Sequence, residues 1–173
     1  MDLQTVDIRV GRTLKEYIIA TNGNETLIPQ KDTVLWCLVK QHLITSAAGY
    51  QAIPEDLKSE YIKIALRNVA NAKTYNIHKE GIVGINTLFR CFLTRDGENS
   101  IKRHLEKEFK KTFRDYMKGA LNNNVDMQIK DAIEEFCTDH NIVMNNITFD
   151  MLKQDWYRFR RKGTKVNVCT LIY

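Results

Sequence analysis

Apolar residues recur along this chain with two periods. In "VDIRV", Val6, Ile8 and Val10 alternate with polar neighbours, and in "YIKIALR" (61–67) Ile62, Ile64 and Leu66 alternate with Lys63 and Arg67. A period of two is that of a half-buried strand. "ETLIP" adds a strand fragment before Pro29. Elsewhere the spacing is helical. "TLKEYIIATNG" (13–23) reads as a short helix closed by Asn22-Gly23, because glycine adopts the left-handed conformation that ends helices. Asp32 or Thr33 caps "VLWCLVKQHLITSA" (34–47), an apolar helix expected at the centre of the core. "IVGINTLFRCFLTR" (82–95) puts Ile82, Ile85, Phe89 and Phe92 on one helix face, and Asp96-Gly97 is expected to end it.

The longest helix is expected over 98–121. The next, over 127–141, spaces Ile129, Ala132, Ile133 and Phe136 for one buried face. A last helix is expected over 149–162, with Thr148 as its cap, Asp150 in its first turn and Gly163 as its end. In the tail, Val166, Val168, Thr170 and Ile172 alternate as in a strand. Together these elements predict an α+β fold, predominantly helical, with a small sheet made from the chain ends and residues 61–67. The 173 residues suit a single domain, with room for a C-terminal helical subdomain over 127–162.

Charge changes this picture only through its placement. The whole chain carries a formal +5. Between Lys153 and Lys165, six cations (Lys153, Arg158, Arg160, Arg161, Lys162, Lys165) meet one anion, Asp155, so this stretch alone matches the net charge of the chain. The long helix repeats the theme. At 100° per residue, Leu105, Phe109, Phe113, Tyr116, Met117 and Ala120 share one side, while Arg103, Lys107, Lys110, Lys111, Arg114 and Lys118 share a stripe on the other. Like charges one turn apart cost a few tenths of a kcal/mol per pair. An anionic partner would relieve that cost, and so would acids contributed by other elements.

On the last helix Phe149, Leu152, Trp156 and Phe159 fall on one apolar stripe, which points Trp156 and Phe159 inward. Tyr157 and Arg161 lie opposite, with Lys153, Arg158, Arg160 and Lys162 near them. Lysine suits phosphates as a mobile point charge, whereas the planar fork of arginine can also pair with a guanine edge. The helices over 127–139 and 149–162 have the outline of a helix-turn-helix, with a longer connection than the tight motif and an acidic outer face (Asp131, Glu134, Glu135) on the first.

Catalytic chemistry has no comparable signal. "GIVGIN" lacks the Lys-Ser/Thr of a phosphate loop and the glycine spacing of a dinucleotide fold. His42, His78, His104 and His140 are isolated, and Cys37, Cys91, Cys137 and Cys169 are far apart, so no metal site and no cofactor are expected. The first residues lack an apolar leader and no apolar run is long enough to span a membrane, which predicts a cytoplasmic protein with no membrane partner.

The closing "ITFDMLKQDWYRFRRK", after an acidic helix, resembles the end of small uncharacterised basic proteins of bacterial phages and mobile elements. The likeness covers about a fifth of the chain, fixes no activity and carries over no site residue. It implies a host cytoplasm or a virion as the setting. The function expected is non-enzymatic binding of nucleic acid, DNA ahead of RNA, through Arg103, Lys107, Lys110, Lys111, Arg114 and Lys118 on one helix and Lys153, Tyr157, Arg158, Arg160, Arg161 and Lys162 on another. The alternative is a structural or assembly subunit of a phage particle or similar complex, joined to other protein subunits through its terminal strands.

Overall fold

A computed structural model describes residues 5–44, 55–66 and 92–168, with side chains from 57 onward in the second stretch and up to 161 in the last. The chain divides into two compact units, Met1–Leu105 and Glu106–Tyr173.

The first unit holds β1 (Thr5–Arg9), α1 (Arg12–Asn22), β2 (Thr26–Leu27), α2 (Val34–His42), β3 (Leu43–Ile44), a 3-10 turn (Glu55–Glu60), β4 (Tyr61–Ala65), β5 (Phe92–Leu93) and the start of α3 (Arg95–Asn123). One sheet has the order β1-β4-β2, with β1 antiparallel and β2 parallel to β4. Val6 lies opposite Ile64 and Ile8 opposite Ile62, and all four are buried beside Leu14 and Ile18 of α1. The intervening positions are polar. Glu25 bridges Lys63 (2.8 Å) and Lys15 (3.1 Å). Hydrogen bonds from these two lysines hold its carboxyl below the usual range.

The alternation at 6–10 and 61–67 therefore produces strands, with bounds at Thr5–Arg9 and Tyr61–Ala65, and Gly23 closes α1 in the left-handed conformation. Thr33 caps α2 by accepting from the Trp36 N–H. That helix is not the apolar centre expected: Val39 is its buried residue, while Val34 is 60% exposed, and after His42 the chain turns into β3. The helix expected over 82–95 lies outside the described residues up to 91. Beyond that point Phe92 and Leu93 pair with Ile44 and Leu43 as a strand.

Asp96-Gly97 does not separate two helices; it lies in the first turn of α3. Thr94 caps that helix, its hydroxyl accepting the Gly97 N–H (3.1 Å), and Asp96 and Glu98 sit where the helix dipole favours acids. Burial raises the Glu98 carboxyl above its ordinary range, with Arg95 opposing the shift. Glycine is required at 97 because His42 is so close that a Cβ there would collide with the Cβ of His42 and lie 2.9 Å from its Cγ.

The second unit consists of the rest of α3, α4 (Ile129–Asp139) and α5 (Asn146–Val168). The expected subdomain over 127–162 falls inside it. Phe109, Phe113 and Met117 of α3, Ala132, Ile133, Phe136 and Cys137 of α4, and Leu152 and Trp156 of α5 form its core. Phe136 is the hub, with ring centroids 6.1, 5.1 and 5.3 Å from Phe109, Phe113 and Tyr116. Asn141, at φ 50°, ends α4. The Asn141 N–H reaches Thr138 O (3.1 Å) and the Ile142 N–H reaches Cys137 O (2.8 Å), the paired bonds of a Schellman motif, with Ile142 buried beneath.

The expected limits of α5 need correction at both ends. Asn145, not Thr148, caps it by accepting the Thr148 N–H (2.9 Å), and Thr148 is buried. Gly163 does not end it; the helix continues to Val168. Val166 and Val168 are therefore helical rather than part of a terminal strand, and residues 169–173 lie outside those described. Among the described residues the sheet takes its terminal strand from the N-terminal side.

Gly97→Ala should destabilise the protein by about 1–3 kcal/mol through overpacking against His42, even though alanine is the better helix former. Urea denaturation checks this, and unchanged stability would refute the close approach. Asn141→Ala should cost about 1 kcal/mol by forcing a Cβ-bearing residue without a polar side chain into the left-handed region, whereas Asn141→Gly should be neutral or stabilising.

Candidate nucleic-acid interface

The second unit places the two basic helices side by side and in parallel. Lys110 lines a groove with Ile147, Asp150, Met151, Gln154, Asp155 and Arg158. One turn further along α3, Arg114 grips Asp155 with two hydrogen bonds, Nε to Oδ2 at 2.8 Å and Nη2 to Oδ1 at 2.7 Å. Arg114 also lies 5.2 Å from the centre of the Phe159 ring, and after another turn Lys118 lies 4.9 Å from it. Successive cations of α3 thus meet successive turns of α5, because residues four apart fall on one face of each helix.

This register divides the expected stripe. Arg114 and Asp155 are 31% and 13% exposed and compensate each other, so Arg114 belongs to the helix contact rather than to an open binding face. Lys118 is held at its edge, 3.5 Å from Asp115. Lys107 and Lys111 stay exposed, Lys110 is half-buried in the groove, and among the described residues none of these three has an ion pair. Arg103 is exposed on the portion of α3 that belongs to the first unit.

On α5, Leu152 and Trp156 face the core as expected, while Phe159 is half-buried beneath the α3 cations. Lys153 turns back over the Phe149 ring at 5.4 Å. Tyr157, Arg158, Arg160 and Arg161 are exposed, and Arg158 makes a long 3.5 Å contact with Gln154. Lys162 lies on the helix, but its side chain is outside those described. Sequence reading missed the groove itself. Its signal was present in Ile147 and Met151, apolar residues four apart on the face away from the core, now 83% and 41% exposed.

The groove encloses about 380 Å³. A second, open concavity of about 620 Å³ follows the outer face along Gln154, Tyr157, Arg158, Arg160 and Arg161. The two share Gln154 and Arg158, so they run together along α5, with Lys110 of α3 lining the first. Asp150 is the acid in the groove that holds no cation among the described residues, and it dilutes the positive field there.

Potential chemistry elsewhere is spent structurally. The Tyr116 hydroxyl donates to Asp139 (3.0 Å), and burial first, then this carboxylate, raises its pKa well above the ordinary phenol value. Cys137 is buried, and the imidazole Nδ1 of His140 meets Phe136 O at 2.9 Å. Among the described residues no group of three or more His, Cys, Asp or Glu could hold a metal, and no helix is long and apolar enough to cross a membrane. No known family model, curated protein or solved structure matches the chain.

The Arg114–Asp155 pair should be a stability element. A double-mutant cycle of Arg114→Ala and Asp155→Ala, read by urea denaturation, should give a coupling of about 1–2 kcal/mol. This exceeds the usual surface pair because the contact is bidentate and partly shielded. Coupling near zero would show that the pair does not fix the register of the two helices.

Proposed function

We propose that this protein binds nucleic acid without catalysing a reaction, using the surface shared by α3 and α5. The observation that carries this reading is the survival of exposed, unpaired cations on a helix whose neighbour had an opportunity to neutralise them. Asp155 takes Arg114, yet Lys107 and Lys111, one turn apart, remain unpaired among the described residues. Arg158 and Arg161 extend the positive surface along α5, and Lys110 bridges toward them from the groove. Phosphates would sit on Lys107, Lys110 and Lys111. The arginines offer both phosphate contacts and pairing with base edges.

Assembly through paired terminal strands has less support, since 164–168 continue α5 and, among the described residues, β1 is the terminal strand available for pairing.

Anisotropy of a labelled DNA duplex should show binding at about 50 mM salt, with log K falling against log salt by about 0.9 per phosphate neutralised. Contacts from Lys107, Lys110, Lys111, Arg158 and Arg161 give a slope of about −4.5. Lys107→Gln with Lys111→Gln should flatten it by about 2 without altering thermal stability. Arg158→Ala or Arg161→Ala should additionally reduce any preference among sequences. Absence of binding to both duplex and single-stranded DNA under these conditions would end this reading.

A further inference from the structure

The outer face of α5 carries features that phosphate binding does not use. Ile147 and Met151 are exposed at the groove, and Tyr157 is 42% exposed about 1.7 turns beyond Met151. Cations alternate with them: Lys110 and Arg158 border the groove, and Arg158, Arg160 and Arg161 border Tyr157. Leaving such apolar surface in water is unfavourable, and a duplex, whose bases are stacked inside, would cover little of it. An unpaired strand has free base faces, which associate with aromatic and apolar side chains while its phosphates seek cations.

We infer that the preferred ligand is single-stranded nucleic acid, lying along α5 from the Ile147–Met151 groove to Tyr157 and Arg161. This deepens the nucleic-acid reading and rests on it. At about 1.5 Å per residue the track is about 21 Å long, enough for a few nucleotides. A base seated in the groove would cover Ile147 and Met151, and a second would stack on Tyr157. Arg158 lines both concavities and is placed to hold the phosphate between them.

The acids fit this arrangement better than they fit a duplex. Asp155 is neutralised by Arg114. Asp150 would repel a phosphate but can accept a hydrogen bond from an amino or imino group on a base edge, as the carbonyl of Gln154 can. Trp156 is excluded as a platform, since it is only 4% exposed.

The test compares a labelled oligothymidylate of about ten nucleotides with a DNA hairpin duplex carrying the same number of phosphates. The single strand should bind the intact protein at least tenfold more tightly. Tyr157→Ala should weaken single-strand binding by about 5–100-fold and leave hairpin binding within twofold, whereas Tyr157→Phe should retain single-strand affinity. A melting curve of each variant confirms folding. Equal or tighter binding of the hairpin, or equal weakening of both ligands by Tyr157→Ala, would overturn the inference while leaving the cationic surface as a duplex site. Binding to neither ligand would overturn both the inference and the nucleic-acid reading.

Discussion

The Arg114–Asp155 contact sets the geometry on which the candidate surface depends. A planar guanidinium and a carboxylate meet best in one arrangement, with two parallel hydrogen bonds. Once those bonds form, α5 is fixed against α3 in translation as well as in rotation. Lys110 then faces the turn holding Ile147 and Met151, and Lys118 reaches Phe159. The apolar core around Phe136 drives the helices together, but hydrophobic contact is non-directional. The ion pair adds a directional restraint at the seam.

The same contact accounts for part of the charge crowding. Arg114 sits one turn from Lys110 and from Lys118, a spacing at which like charges repel on an isolated helix. In the folded unit Asp155 compensates Arg114, and Lys118 gains both Asp115 and the face of the Phe159 ring. Repulsion between Lys107 and Lys111 is not relieved in this way. Those positions separate the cations of α3 engaged in packing from those without an ion pair among the described residues, and the proposed function rests on the latter.

Much of the architecture was legible in local pattern. The strands Thr5–Arg9 and Tyr61–Ala65, the three helices of the second unit and the inward stripe of Leu152 and Trp156 follow from periodicity, and the stop of α1 follows from its glycine. The misreadings arise where a short local signal is outweighed, by a tertiary contact at Gly97 and by the helix's own propagation at Gly163, Val166 and Val168. Gly97 looks like a breaker, but the close approach of His42 makes glycine necessary inside the first turn of α3. Gly163 likewise looks like a stop, yet α5 continues, and a helix-interior glycine costs only about 1 kcal/mol relative to alanine. Val166 and Val168 alternate as strands do, but a short alternation cannot outweigh a helix already propagating from the preceding turns. At the site, the helical wheel identified the cations but not which of them were internally engaged. That depended on Asp155, whose partner is distant in sequence.

Withdrawing Arg114 from the open face also sharpens the division between the two helices. The cations of α3 in the second unit without an ion pair among the described residues are Lys107, Lys110 and Lys111, all lysine, while the exposed cations of α5 with described side chains are Arg158, Arg160 and Arg161, all arginine. The protein places arginine where a planar fork has a defined partner, as Arg114 does with Asp155. By the same physical logic, the arginines beside Tyr157 suit ligands with planar faces and edges, because guanidinium stacks as well as donates. The lysines one helix away suit a charge without fixed orientation. A strand with its backbone toward α3 and its bases toward α5 would meet each side chain with the group it handles best.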